Sequence, residues 1–270
     1  MKTRILSAAV LVPLLFVVLY ALPKIAMTIA LCLFCAIGAY ELTWNTGMVQ
    51  HKVLVASSAI MAALVPLWSH FGMEYLWALI GITAFSLILF SQMLWSEAAL
   101  SFRAVCICVV GGLLIPFLLS SLVRIFNHEV GRYWILLPFV MAFLADSGAY
   151  FIGKRFGKHK LAPKISPKKT VEGVFGGVIG AVVGVLIYCL VLQLCFDRQI
   201  QYLYALVYGL VGAMGSVFGD LSFSAIKRQV GIKDFGNLIP GHGGMLDRFD
   251  SMVVVAPLAE LLLLLIPVVV

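Results

Sequence analysis

The sequence carries little charge. Only 11% of its 270 residues are Asp, Glu, Lys or Arg, whereas a soluble domain usually has about 25%. Apolar residues make up 63% of the chain, and its mean hydropathy is +1.08. This shortage of charge excludes a soluble enzyme and a disordered chain, and it indicates a polytopic membrane protein.

The sequence also lacks features that would divide it or assign it to another class. No stretch is long enough for a linker, so we predict a single integral membrane domain over 1–270. There is no Walker-type nucleotide loop, G-x-G-x-x-G pattern or G-x-S-x-G elbow. All six cysteines lie in apolar segments, and the C-x-x-C at 32–35 has no second ligand pair, so we interpret them as small core residues.

Long apolar runs predict an all-α fold, a polytopic transmembrane helical bundle with about nine spanning helices. Runs of about 18–22 residues are long enough to cross roughly 30 Å of hydrocarbon. The first run begins like a signal peptide, but no clear small-residue cleavage site follows, so we expect a retained helix. The predicted spans lie near 5–22, 25–43, 53–70, 74–94, 104–123, 134–152, 173–195, 202–221 and 252–270.

The basic residues predict the orientation of these helices. With the N-terminus in the cytoplasm, alternation of the spans places fifteen of the nineteen Lys and Arg residues on the cytoplasmic side and four on the other. Basic inner loops are usual in membrane proteins, so the net charge of +7 does not imply nucleic acid. We therefore expect a multi-pass protein with its N-terminus and polar loops in the cytoplasm.

The first polar loop, 153–173, contains seven basic residues and one acid, Glu172. Lys168, Lys169 and Thr170 come just before the next apolar run. Lysines beside the free N–H groups of a helix N-terminus are suited to phosphate. The loop is either a solvated surface facing anionic lipid or an anion site.

The second polar loop, 219–251, mixes acids and bases. Asp247 and Asp250 are three residues apart, so a helix would place both carboxylates on one face. Gly243 and Gly244 precede them and allow close backbone approach. Such carboxylates suit Mg²⁺, which binds a few protein oxygens and bridges substrate phosphates.

Four acids lie within or at the ends of apolar runs. Charges there are costly and usually face a cavity or a partner. Asp220 is placed to join the metal site, whereas Asp146 either faces the substrate site or pairs with a lysine that fixes helix packing. Glu41 and Glu260 receive no role. The glycines of 173–184 repeat at four-residue spacing and predict close helix packing.

The stretch S-F-S-A-I-K-R-Q-V-G-I-K-D-F-G-N-L-I-P-G-H-G-G-M-L-D-R-F-D, residues 222–250, resembles the signature of phosphatidate cytidylyltransferases, also called CDP-diacylglycerol synthases. We call it the signature segment. The upstream pieces ADSGAYFIGKRFGKHKLAPKISPKKTVEG and GSVFGD resemble bacterial members. Helices in 1–130 match only weakly, so 134–270 is the expected catalytic core. Phe235 departs from the family, where a small residue is usual.

The resemblance implies that CTP and phosphatidic acid give CDP-diacylglycerol and pyrophosphate with Mg²⁺; a second metal or a monovalent cation stays open. The catalytic residues would be Asp220, Lys227, Asp247 and Asp250, and the metal ligands Asp220, Asp247 and Asp250. His242 either positions a phosphate or is purely structural. The predicted substrate-binding residues are Asp146, Lys168, Lys169, Ser224, Arg228, Lys233, Asp234, His242, Gly243, Gly244 and Arg248.

Two alternatives remain at this point. One is a CTP-dependent transferase acting on a different lipid phosphate, and the other is an ion-coupled transporter with intramembrane acids as a relay. The resemblance favours the bacterial inner membrane as location, CTP and a bilayer lipid as partners, no nucleic acid, and a possible homodimer.

Overall fold

The fold, given by a computed structural model, consists almost entirely of helices, which confirms the all-α prediction. The structure describes residues 13, 15–72, 75–95, 100–238 and 243–269. Within these ranges, seven helices are long and apolar enough to cross a membrane. They are α1 (Lys24–Asn45), α2 (Lys52–His70), α3 (Tyr75–Trp95), α4 (Phe102–Asn127), α5 (Gly131–Phe156), α6 (Val171–Phe196) and α7 (Tyr202–Val230).

The predicted count of nine spanning helices is not confirmed. Half of the first predicted run, 5–22, lies outside the described residues, and in the described half Val17–Ala21 form one π-helical turn. After α7 come a single turn, α8 (Leu246–Phe249), and α9 (Met252–Leu265). α9 has only 14 residues, about 21 Å of helix, which is shorter than the hydrocarbon core.

A short antiparallel hairpin lies between α5 and α6, where the sequence predicted only a loop. Strands β1 (Lys160–Ala162) and β2 (Ser166–Thr170) pair with Lys160 opposite Thr170 and Ala162 opposite Ser166. Thr170 also caps α6, because its hydroxyl accepts a hydrogen bond from the Gly173 N–H at 3.1 Å. This cap fixes the register between the hairpin and the helix.

The chain divides into two compact units. The first comprises Met1–Asn127 and Val230–Phe249, and the second comprises His128–Gln229 and Asp250–Val270. The core of the first unit contains Leu54, Val65, Phe85, Leu89 and Cys108, which come from α2, α3 and α4 and are almost completely buried. The single-domain organisation stays a prediction.

The second unit is held together by close backbone contact between α5 and α6, which confirms the packing role predicted for the glycines of 173–184. A methyl group on Gly148 would overlap the carbonyl oxygen of Gly176, and one on Gly180 would overlap that of Leu144. Small residues at such a crossing let two apolar helices approach where lipid offers no hydrophobic driving force.

Gly148→Ala tests this packing. The added methyl forces α5 away from α6, so we expect a loss of stability of about 1–3 kcal/mol, seen as a melting temperature lowered by several degrees in detergent. Gly38→Ala is the matched control, because a methyl on this buried helical glycine would lie 3.6 Å from the nearest side-chain atom, that of Leu246. Equal melting temperatures for the two variants would contradict the proposed packing.

Candidate active site

The C-terminal half of α7 presents a polar face. Asp220, Ser224 and Lys227 are spaced by four and three residues, so they lie on one side of the helix. Ser224 and Lys227 are buried, and the Ser224 hydroxyl donates to Oδ1 of Asp220 at 3.1 Å. The other oxygen, Oδ2, lies 2.7 Å from Nζ of Lys169 in β2. The two polar loops predicted from the sequence therefore meet at Asp220.

Asp250, two residues before α9, extends this polar face. Its Oδ2 lies 3.8 Å from Nζ of Lys227, and its Oδ1 accepts the backbone N–H of Ser251 at 2.8 Å. Burial, followed by repulsion from the Asp220 carboxylate, raises the pKa of Asp250 to about 7, although Lys227 opposes the shift. The carboxylate is therefore poorly stabilised by the protein alone.

Asp146 lies on α5 near the same acids. Its Oδ1 accepts a hydrogen bond from the buried Ser216 hydroxyl at 2.7 Å. Repulsion from Asp146 contributes to the raised pKa of Asp250, so the two carboxylates interact. We call Asp146, Lys169, Asp220, Lys227 and Asp250 the acid–lysine cluster.

The hairpin is tied to its neighbours by both side chains and backbone. Nε of Arg228 donates to the Ile165 carbonyl oxygen at 3.2 Å, which links the end of α7 to the hairpin turn. At the base of the hairpin, Glu172 contacts Nδ1 of His159 at 2.6 Å and accepts the backbone N–H of Lys158 at 3.1 Å. Lys168 projects from β2 and is exposed.

The remaining part of the signature segment, Val230–Phe249, belongs to the first unit. Asp247 links two separate stretches of its backbone. Its Oδ2 accepts the backbone N–H groups of Phe235 at 2.8 Å and Gly244 at 3.0 Å. Asp247 is buried, and the Phe235 side chain is only 1% exposed, so the larger residue at this position is accommodated in the protein interior. Gly243 has φ of 83°, a left-handed conformation that favours glycine.

Glu41 was missed as a site residue by the sequence analysis. This buried acid is at the π-helical end of α1, and its two oxygens accept the backbone N–H groups of Met245 at 2.9 Å and Leu246 at 2.8 Å. Nearby, Nδ2 of Asn45 donates to the Phe235 carbonyl oxygen at 3.2 Å. A carboxylate in an apolar run could have drawn attention to Glu41, but the sequence does not reveal which backbone N–H groups donate to it.

Three other predicted residues, Lys233, Asp234 and Arg248, are exposed in the first unit. His242 lies outside the described residues, so its role stays a prediction. The roles assigned to the remaining site residues also stay predictions, although their positions are now defined.

The donor chemistry of the acid–lysine cluster fits Mg²⁺. Asp146, Asp220 and Asp250 provide carboxylate oxygens, the ligands that this ion prefers, and the cluster holds one acid more than it holds lysines. In the described part of the chain, however, no group of three or more His, Cys, Asp or Glu residues is arranged to hold a metal ion. The ligand set predicted from the sequence, Asp220, Asp247 and Asp250, stays a prediction.

Asp250→Asn tests the electrostatics of this cluster. The pKa of Asp250 is raised from 3.8 to about 7 in the folded protein, so its contribution to stability is present below the unfolded pKa and is lost as pH rises through the folded pKa. Asparagine does not ionise. We therefore expect the melting temperature of Asp250→Asn, relative to that of the wild type, to rise between about pH 4 and about pH 7 in EDTA.

The matched control is Asp234→Asn, which removes an exposed carboxylate. Its melting temperature relative to the wild type should vary much less with pH. A constant difference between Asp250→Asn and the wild type at every pH would contradict the raised pKa.

Comparisons with known proteins identify the family. A profile of the cytidylyltransferase family matches residues 2–266. The phosphatidate cytidylyltransferase of Staphylococcus epidermidis strain RP62A is 34% identical over 268 residues, covering 98% of this chain and 99% of the relative. Those of Bacillus subtilis and Haemophilus influenzae are also 34% identical, covering 98% and 95% of this chain and 98% and 96% of the relatives. The chain therefore belongs to the cytidylyltransferase family.

Proposed function

We propose that this protein transfers the cytidylyl group of CTP to phosphatidic acid, giving CDP-diacylglycerol and pyrophosphate for phospholipid biosynthesis. The observation that carries the proposal is similarity to phosphatidate cytidylyltransferases over nearly the whole chain. The meeting of Lys169 and Asp220, from separate polar loops, supports it, because both loops contribute to the family resemblance.

The reaction requires charge neutralisation more than proton removal. An oxygen of the lipid phosphate attacks the α-phosphorus of CTP, the bond from that phosphorus to the bridging oxygen breaks, and pyrophosphate leaves with the electron pair. The lipid phosphate is already anionic near neutral pH, so it needs little activation. Repulsion between it and the triphosphate is the main obstacle, which aligned cations overcome.

The acid–lysine cluster suits this task. Lys227 is buried and Lys169 is half-buried, so their charges are less screened by water than those on the surface. We propose that Asp220 and Asp250, with Asp247 as a further candidate, hold Mg²⁺, which would neutralise charge on the triphosphate. The exposed bases Lys168, Arg228, Lys233 and Arg248 would bind phosphate oxygens, with Arg forming bidentate contacts.

The substrates also explain the location of the site. Phosphatidic acid stays in the bilayer and CTP is in the cytosol, so the site must lie where helices meet the cytoplasm. If α1 to α7 all span and alternate, the ends of α1 and α7 are expected on one side of the membrane. We propose the bacterial inner membrane, with this side in the cytoplasm; a homodimer, and the absence of a nucleic-acid partner, stay predictions.

Asp220→Asn tests the proposed chemistry. Loss of this carboxylate removes the partner of Lys169 and a proposed metal ligand, so we expect transfer from labelled CTP to phosphatidic acid to fall by about a hundredfold. The control is Lys164→Ala, an exposed lysine in the turn of the hairpin, which should keep its activity. Wild-type rates in Asp220→Asn would refute the assigned role, and transfer by the wild type only to another lipid phosphate would refute the proposed substrate.

Single cysteines test the orientation. In a chain whose six cysteines are replaced, we expect Glu129→Cys, between α4 and α5, to react with a membrane-impermeant maleimide from the outer face of the inner membrane. Lys164→Cys, between α5 and α6, should react only after that membrane is permeabilised. Both native side chains are exposed. The reverse labelling pattern would contradict the proposed orientation.

A further inference from the structure

Glu41 contacts a segment about two hundred residues further along the chain. Three successive backbone N–H groups of that segment, at Gly244, Met245 and Leu246, each donate to a carboxylate. Asp247 accepts the first, and the two oxygens of Glu41 accept the second and third. These N–H groups lie at the start of α8, where a helix has no internal acceptors for them. Glu41 supplies two of the three missing acceptors, and Asp247 supplies the third.

The segment is shaped to admit the Glu41 carboxylate. A methyl group on Gly244 would lie 2.5 Å from Oε1 of Glu41, and one on Gly236 would also overlap this oxygen. Asn45, one turn beyond Glu41 on the same face of α1, donates to the Phe235 carbonyl oxygen. The end of α1 therefore contacts the backbone at Phe235 and at 245–246, and Asp247 links the same two stretches.

This end of α1 departs from regular α-helix. Residues Glu41–Asn45 are π-helical, a geometry that is often found at functional sites. Glu41 is only 2% exposed, and a buried carboxylate is costly unless it accepts hydrogen bonds. The contact therefore stabilises both partners: the acid gains two donors, and the segment gains a fixed backbone position.

We propose that Glu41 is a positioning residue for cytidylyl transfer, which holds Asp247 and Arg248 of the signature segment in their reactive arrangement. The proposal rests on the proposed function above. Glu41 acts through the backbone of residues 244–246. A displacement of about 1 Å at reacting groups can lower a rate about a hundredfold, so loosening this contact should lower kcat more than it raises KM.

The experiment compares three full-length variants in detergent with the wild type. Glu41→Gln keeps the size of the side chain but replaces one acceptor oxygen by a donor. Glu41→Asp keeps the charge and both acceptors on a shorter side chain. Thr43→Val is the matched control, since Thr43 is also fully buried at the end of α1, and its hydroxyl donates to the Ala39 carbonyl oxygen within the same helix at 2.7 Å.

Hydrogen–deuterium exchange gives a direct reading of the contact. In Glu41→Gln, we expect the amides of Met245 and Leu246 to exchange about tenfold faster or more, because one acceptor is lost and a donor faces a donor. In the same variant, kcat should fall about 10- to 100-fold, while KM for CTP changes little. Glu41→Asp should recover part of both losses, and Thr43→Val should leave both values close to those of the wild type.

Two results would overturn the proposal. One is a Glu41→Gln variant with wild-type exchange and kcat. The other is a Glu41→Gln variant that loses protection throughout the chain, together with a Thr43→Val variant that loses as much kcat. That pair of results would show a structural role alone. If the wild type does not transfer cytidylyl groups but Glu41→Gln still loses protection at Met245 and Leu246, the proposed function fails, whereas the holding role of Glu41 is supported.

Discussion

A carboxylate among apolar helices must find hydrogen-bond donors or cations within the protein, because lipid offers neither. This requirement organises the polar part of the molecule. Leaving such a group unpaired costs several kcal/mol, so these acids pair with backbone N–H groups or with lysines. Glu41 and Asp247 accept hydrogen bonds from backbone N–H groups, whereas Asp220 forms an ion pair with Lys169 and Asp250 forms one with Lys227. Contacts of this kind give each of the two units a defined polar region among its apolar helices.

Glycine packing provides the frame for these contacts in the second unit. Close approach of α5 and α6 at Gly148 and Gly176 fixes the two helices that flank the hairpin. The Thr170 cap then sets where β2 ends and α6 begins, which places Lys169 within reach of Asp220. The stability of the helix pair and the geometry of the acid–lysine cluster are therefore coupled.

The sequence predicted those parts of the fold that depend on local pattern. Apolar runs located seven described helices, and α6 begins at Val171, close to the predicted 173. The hairpin was missed because strands of 3 and 5 residues are too short for a clear alternation. The final helix was predicted too long, since apolar residues continue beyond its end at Leu265.

The candidate site, too, was predicted only in part. The signature segment identified the region around Asp220, Asp247 and Asp250, and the resemblance to a family supplied their expected chemistry. Glu41 was missed because its partners are the backbone N–H groups of Met245 and Leu246, which every residue type except proline would provide. Long-range contacts to backbone leave little trace in a single sequence.

The most direct test of the central claim follows the two ends of the CTP triphosphate separately. Purified protein is incubated with phosphatidic acid, Mg²⁺ and CTP labelled at either the α- or the γ-phosphate, with EDTA as control. Cytidylyl transfer predicts that the α-label enters the lipid and the γ-label appears in pyrophosphate, and that EDTA abolishes both. Transfer of the γ-label to the lipid, or no metal-dependent product from folded protein, would contradict the account.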